Sequence, residues 1–195
     1  MTPFVFIIFG ATGDLVHRKL MPAIYELAKK GKLDTPIFFV GVGRRKITAD
    51  QFAELMAGAV HEVEENAFSG AVWAKLFSGF EYVQGLFDDP KVYDQLVKIL
   101  EQFDKSLNAC VPRFFYLATP PQHYETILKH LRNSKLSEGC LPASAYAQAK
   151  RAGVQGVAQY TRLLIEKPFG KDLETARMLD KLLATIFEEK QIYRI

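Results

Sequence analysis

Gly10 and Gly13 stand where an apolar run, Phe4 to Phe9, gives way abruptly to Asp14, Leu15 and the basic cluster His17, Arg18 and Lys19. Lacking a Cβ, glycines at this Gly-x-x-Gly spacing let the backbone turn tightly and let an anion approach the amides at the start of a helix. The chemistry that fits is a seat for a diphosphate, as in dinucleotide-binding turns. A plain tight turn fits the same glycines. The longer Gly-x-Gly-x-x-Gly pattern is not met, because Ile8 stands two before Gly10 and Val16 three after Gly13. The bulk of Val16 is expected to push the helix away from the strand and loosen the seat.

Further along, Gly43-Arg44-Arg45-Lys46 ends a second apolar run, with no acid before Asp50. At that place in a dinucleotide fold a carboxylate grips the ribose 2'-hydroxyl of NAD, whereas cations suit the 2'-phosphate of NADP. A solvated basic turn is the competing reading. The histidines carry less. His17 follows the glycine turn as a helix-surface residue or a phosphate contact, and His61, His123 and His130 fall on expected helices as surface or packing residues. None has an acidic partner at metal or dyad spacing, so neither a metal site nor a catalytic base is expected in the chain.

The elements that must hold these residues alternate. Phe4 to Phe9 reads as a buried central strand, followed by a helix that becomes regular near Pro22 and stops at Gly31. Pro36 to Gly43 is a second strand, and Thr48-Ala-Asp-Gln51 has the form of a capping box opening the next helix. A short strand from Phe80, a helix from Pro90 to about Lys105, and a fourth strand over Arg113 to Pro121 follow. A helix from Gln122 to about Asn133, a fifth strand over Thr161 to Gly170, and a helix capped by Asp172 and reaching about Glu189 complete the pattern. Alternating strands and helices predict a doubly wound α/β sheet, mainly parallel, with helices on both faces. Ser134 to Gln159, rich in Ala, Gly, Ser and Gln, reads as an irregular insertion, with a short helix near Ala143 to Ala152 as one option.

With 195 residues, 49% of them hydrophobic, the chain suffices for one compact domain over 1–195. Its 25 basic and 22 acidic side chains are interspersed, which argues against a nucleic-acid face. The first apolar stretch is too short to span a membrane. Cys110 and Cys140 cannot form a dense disulfide framework, so a reduced, cytoplasmic setting is expected.

Five stretches then coincide with one known family. "FGATGDL" (Phe9 to Leu15), "RKLMPAIY" (Arg18 to Tyr25), "FYLATPP" (Phe115 to Pro121), "IEKPFGKDLETA" (Ile165 to Ala176) and "QIYRI" (Gln191 to Ile195) resemble glucose-6-phosphate dehydrogenase in order and spacing. The resemblance implies a Rossmann-type coenzyme domain of an enzyme that oxidises glucose 6-phosphate to 6-phosphogluconolactone with reduction of NADP, at the entry to the pentose phosphate pathway. It assigns the dinucleotide turn to Gly10, Ala11, Thr12, Gly13, Asp14 and Leu15, and the 2'-phosphate contact to Arg44 with Arg45 beside it. Pro121 and Tyr124 fall on coenzyme contacts, and Lys167 on a lysine touching both coenzyme and sugar phosphate.

Lys167 also makes chemical sense unaided. A cation at a strand end, beside the stiff Pro168-Phe169-Gly170 turn, can hydrogen-bond a sugar hydroxyl and help align its carbon with a nicotinamide ring. A surface lysine after an edge strand is the competing reading, and a cis bond before Pro168 is a further expectation. In the family an Asp-His-Tyr-Leu-Gly-Lys run binds the sugar phosphate, and a general-base histidine lies in a second, larger α+β domain; these 195 residues contain neither. The resemblance therefore implies a monomeric piece, weak in NADP binding and inactive alone, of a homo-oligomeric enzyme. A stand-alone nucleotide-binding or interaction module without catalysis is the alternative, and a different sugar-modifying Rossmann oxidoreductase a remoter one.

Overall fold

A computed structural model describes residues 3–64, 68–139, 161–170 and 172–195. Six strands form one sheet in the order β3-β2-β1-β4-β5-β6, and every neighbouring pair is parallel. They are β1 (Phe4–Phe9), β2 (Ile37–Gly43), β3 (Phe77–Gln84), β4 (Arg113–Leu117), β5 (Thr161–Ile165) and β6 (Ile192–Arg194). The helices are α1 (Met21–Lys29), α2 (Ala49–Glu64), α3 (Gly70–Leu76), α4 (Pro90–Leu107), α5 (Tyr124–Asn133) and α6 (Leu173–Ala184).

The continuous apolar run of β1 serves two cores at once, because successive strand residues point to opposite faces. Val5, Ile7 and Phe9 join Tyr93, Leu96 and Leu100 of α4 and Ile127 and Leu128 of α5 on one face. Phe6 and Ile8 join Tyr25 of α1 and Phe52, Met56 and Val60 of α2 on the other. Burying both faces of the central strands ties all six strands into one unit. Among the described residues no helix is long and apolar enough to cross a membrane.

Most local signals act as read. Thr48 and Gln51 exchange backbone and side-chain hydrogen bonds in the expected capping box, at 2.9 and 3.2 Å. Asp172 caps α6 through the Thr175 amide at 2.8 Å. Gly31 ends α1 with φ of +66°.

Three features depart from expectation. Ser69 caps an additional helix, α3, which runs directly into β3 and starts that strand at Phe77 rather than Phe80. The last helix stops at Ala184, since Glu188 begins a short turn that feeds Ile192–Arg194 into the sheet as a sixth strand. Three residues are too short for a sequence pattern, and β6 exists by pairing with β5. Cys110, expected reduced, is disulfide-bonded. The possible helix at 143–152 and most of the irregular segment lie outside the described residues; Leu136–Glu138, at its start, forms a single 3-10 turn beside α5.

At the end of the sheet away from the glycine turn, buried Arg113 pairs with half-buried Asp104 at 2.6 Å, and Asp104 also accepts the Val111 amide. Removing one partner strands the other charge. Asp104→Ala is expected to destabilise the fold by about 3–5 kcal/mol, read as a lower urea midpoint. Adding Arg113→Met should restore most of the loss, since an apolar replacement of the pair removes the stranded charge.

Candidate functional site

Strand order reverses between β1 and β4, which leaves a crevice at the carboxyl ends of the strands. Gly10 sits at the base of that crevice with φ of +85°, and a Cβ there would lie 2.4 Å from the Ala118 carbonyl oxygen. Only glycine fits. The turn is held from both sides, by Gly10 and Ala11 amides donating to Val42 of β2 and by the Ala118 amide donating to Phe9. Gly13 donates to the Gly10 carbonyl at 2.9 Å and closes the turn. The first amides of the following helix have no helical acceptors ahead of them, so this end favours an anion.

Val16 stays fully buried in the core beside Met21 and Tyr25, and the chain takes a π-helical turn over Val16–Leu20.

A cavity of about 740 Å³ opens above the turn. Gly10, Thr12, Gly13 and Asp14 line it from β1, Arg44 and Arg45 from β2, and Ala118 to Pro120 from β4. Arg44 and Arg45 are exposed and form a cationic rim, whereas Asp14 is engaged with Arg18 at 2.6 Å.

Not every candidate joins them. Ala11 is buried in the core and Leu15 faces solvent at the helix start. Pro121 lines a smaller neighbouring cavity of about 270 Å³ with Gln122, Gly170 and Met178. Tyr124 is 1% exposed and donates to the Glu166 carbonyl at 3.2 Å, which makes it a core residue. Lys167, just beyond β5, is exposed, is joined to Pro168 by a cis bond, and is not among the residues lining the large cavity.

The structure adds residues that the sequence did not flag. Gly85, Leu86, Phe87 and Asp88 line the cavity from the end of β3, and His123 and Thr126 from the start of α5. Gly85 was the available signal, being a third glycine at a strand end after Gly10 and Gly43. His123, read as a surface or packing residue, lies edge-on to Phe87 at 5.3 Å. Tyr82 reaches the β2 rim: a Cβ on Gly43 would meet its hydroxyl at 2.7 Å.

Burial pushes the Tyr82 phenol above its ordinary range, against hydrogen bonds with the Thr12 side chain and the Arg45 backbone and against the Arg45 charge. One buried oxygen in this region, Thr119 Oγ1, has no hydrogen-bond partner. An orphaned polar atom at the edge of a cleft marks a place where a polar ligand completes the bonding. Among the described residues no three His, Cys, Asp or Glu side chains are placed to hold a metal.

The sheet order, the glycine turn at its switch point and the cationic rim together define a dinucleotide-binding α/β domain. Residues 7–195 match the family model described as glucose-6-phosphate dehydrogenase, NAD binding domain, and the chain belongs to that family. It is 36% identical over 193 residues to glucose-6-phosphate 1-dehydrogenase 2 of Mycobacterium tuberculosis, covering 99% of this chain and 34% of that protein. It is 31% identical over 189 residues to the glucose-6-phosphate 1-dehydrogenase of Saccharomyces cerevisiae, covering 96% of this chain and 34% of that one. A crystal structure of glucose-6-phosphate 1-dehydrogenase from Mycobacterium avium superposes with a TM-score of 0.70 at 27% identity, covering 99% of this chain and 36% of that chain. A glucose-6-phosphate dehydrogenase solved with its substrate glucose-6-phosphate gives 0.75 at 28% identity, over 100% of this chain and 37% of that one. The chain thus spans about a third of the length of these relatives.

Tyr93, Tyr116 and Tyr124 are all buried, and burial raises each phenol, Tyr124 to about 12 and the other two further. Below pH 10 all three are protonated in both folded and unfolded chains. Above it the unfolded chain releases its protons first, so stability is expected to fall as pH rises. Urea unfolding between pH 9 and 11 tests this, and Tyr93→Phe should flatten the slope; an equally steep slope in the variant would contradict it.

Proposed function

We propose that this chain is the coenzyme-binding part of a glucose-6-phosphate 1-dehydrogenase and that it selects NADP over NAD. The observation that carries the choice is the rim at the end of β2, where the exposed Arg44 and Arg45 line the cavity and the sequence places no acid before Asp50. Cations suit a ribose 2'-phosphate, whereas a 2'-hydroxyl calls for a carboxylate. The cavity has room for a nucleotide, with the Thr119 hydroxyl unpartnered on its wall, so the residues fit the cofactor.

When bound, NADP supplies the hydride acceptor. The chain's own residues bind and orient. Gly10 to Gly13 leave space for the diphosphate at the helix start, and Thr119 offers its hydroxyl from the β4 side. Lys167 stands two residues beyond Ile165, the β5 residue that pairs with Leu117 at the end of β4. This supports a role in holding the sugar substrate against the coenzyme, which is catalysis by positioning. Removal of the proton from the sugar C1 hydroxyl needs a base, and we assign none to this chain. The purified chain, given glucose 6-phosphate and NADP, is therefore expected to form no NADPH at a normal rate; robust turnover would overturn that assignment.

Calorimetric titration with NADP and NAD tests the selection. NADP is expected to bind more tightly, with Arg44→Ala weakening NADP about ten- to a hundredfold and leaving NAD unchanged. Equal affinities that the substitution does not alter would defeat the 2'-phosphate assignment.

A further inference from the structure

Glu166, the residue before Lys167, is held by two tyrosines that reach it from opposite faces of the sheet. Tyr116, on β4, lies in the core packed under α1 and α2, with its ring 5.9 Å from Phe6, and its hydroxyl donates to the Glu166 carboxylate. Tyr124, on α5, lies in the opposite core and donates to the Glu166 backbone carbonyl at 3.2 Å. Both phenols are buried, at 3% and 1% exposure, in apolar surroundings that fix their rings. The Lys167 amide then donates to the Ile195 carbonyl at 2.9 Å, which ties the same peptide to the edge of the sheet.

Neither phenol has other work in the described structure. Each spends a buried hydroxyl on one strand-end residue, where an apolar ring of the same shape would have satisfied packing. Burial and the Glu166 charge keep both phenols protonated through the physiological range, so both remain donors.

We propose that Glu166 is a positioning residue: gripped through its carboxylate by Tyr116 and through its carbonyl by Tyr124, it fixes the backbone from which the exposed Lys167 side chain projects. The consequence for binding rests on reading Lys167 as a ligand contact; the grip itself does not. A lysine side chain has four rotatable bonds, so a fixed backbone origin limits where the ammonium can reach.

Two measurements on the whole chain test this. Amide hydrogen exchange at Lys167, compared with buried Val40 as a reference for global opening, reads the grip. NADP titration reads its consequence. Glu166→Ala and the double variant Tyr116→Phe, Tyr124→Phe are expected to speed exchange at Lys167 about tenfold with Val40 unchanged, because each removes a bond to a charged or buried group, and to weaken NADP severalfold. Glu166→Gln keeps an acceptor for Tyr116 and should match the parent on both readings. Exchange at Lys167 that rises no more than at Val40, or a Glu166→Gln variant as impaired as Glu166→Ala, overturns the proposal. Lys167→Ala separates the two claims: unchanged NADP binding there defeats the lysine contact, while exchange still decides the grip on Glu166.

Discussion

The turn at Gly10 can form only because no side chain stands between it and the end of β4. A Cβ at Gly10 would lie 2.4 Å from the Ala118 carbonyl oxygen, and the backbone there holds a φ of +85° that L side chains rarely adopt. Close approach of β1 to β4 lets the Ala118 amide reach the Phe9 carbonyl, while the other side of the turn hangs from Val42. The crevice, the helix start that faces it and the level of Thr119 all follow from this contact. The oxygen orphaned on Thr119 lies on the wall that the contact builds.

The sheet that presents the turn is stiff because its central strands are buried twice. Alternate residues of β1 enter two separate cores, so a shift in register would expose neither face cleanly and would disrupt both. The same two-sidedness lets Tyr116 and Tyr124 meet at Glu166. A residue at the end of β5 can be held from above and below only if the helices on both faces are already in place. Arg113 and Asp104 do comparable work at the far end of β4, where a buried charge is balanced by one carboxylate.

Much of this was legible in the chain. The apolar runs ending in glycine marked β1 and β2, the Thr48 and Asp172 caps marked α2 and α6, and Gly10 to Asp14 and Arg44 to Arg45 marked half of the cleft wall. Local pattern suffices for such features because the residues that cause them are neighbours in sequence. It failed for β6, whose three residues become a strand only against β5, and for α3, a helix of seven residues whose start is set by Ser69. It did not reveal that Tyr124 is buried, since a tyrosine just after a strand end can face a ligand or a core with equal local propensity. It was silent on the Thr119 hydroxyl, whose lack of a partner is a property of its surroundings.

Thus the sequence by itself determined the alternation of strands and helices, the glycine turn, the cationic rim and the family. Each of these is carried by residues within a few positions of one another, where sterics, capping and charge act directly. Tertiary structure alone decided the strand order, the depth of the cleft, the contribution of Gly85 to Asp88 and His123, and the two-sided hold on Glu166. Those depend on which distant segments a parallel sheet brings level, and a parallel crossover fixes that only when both faces are packed.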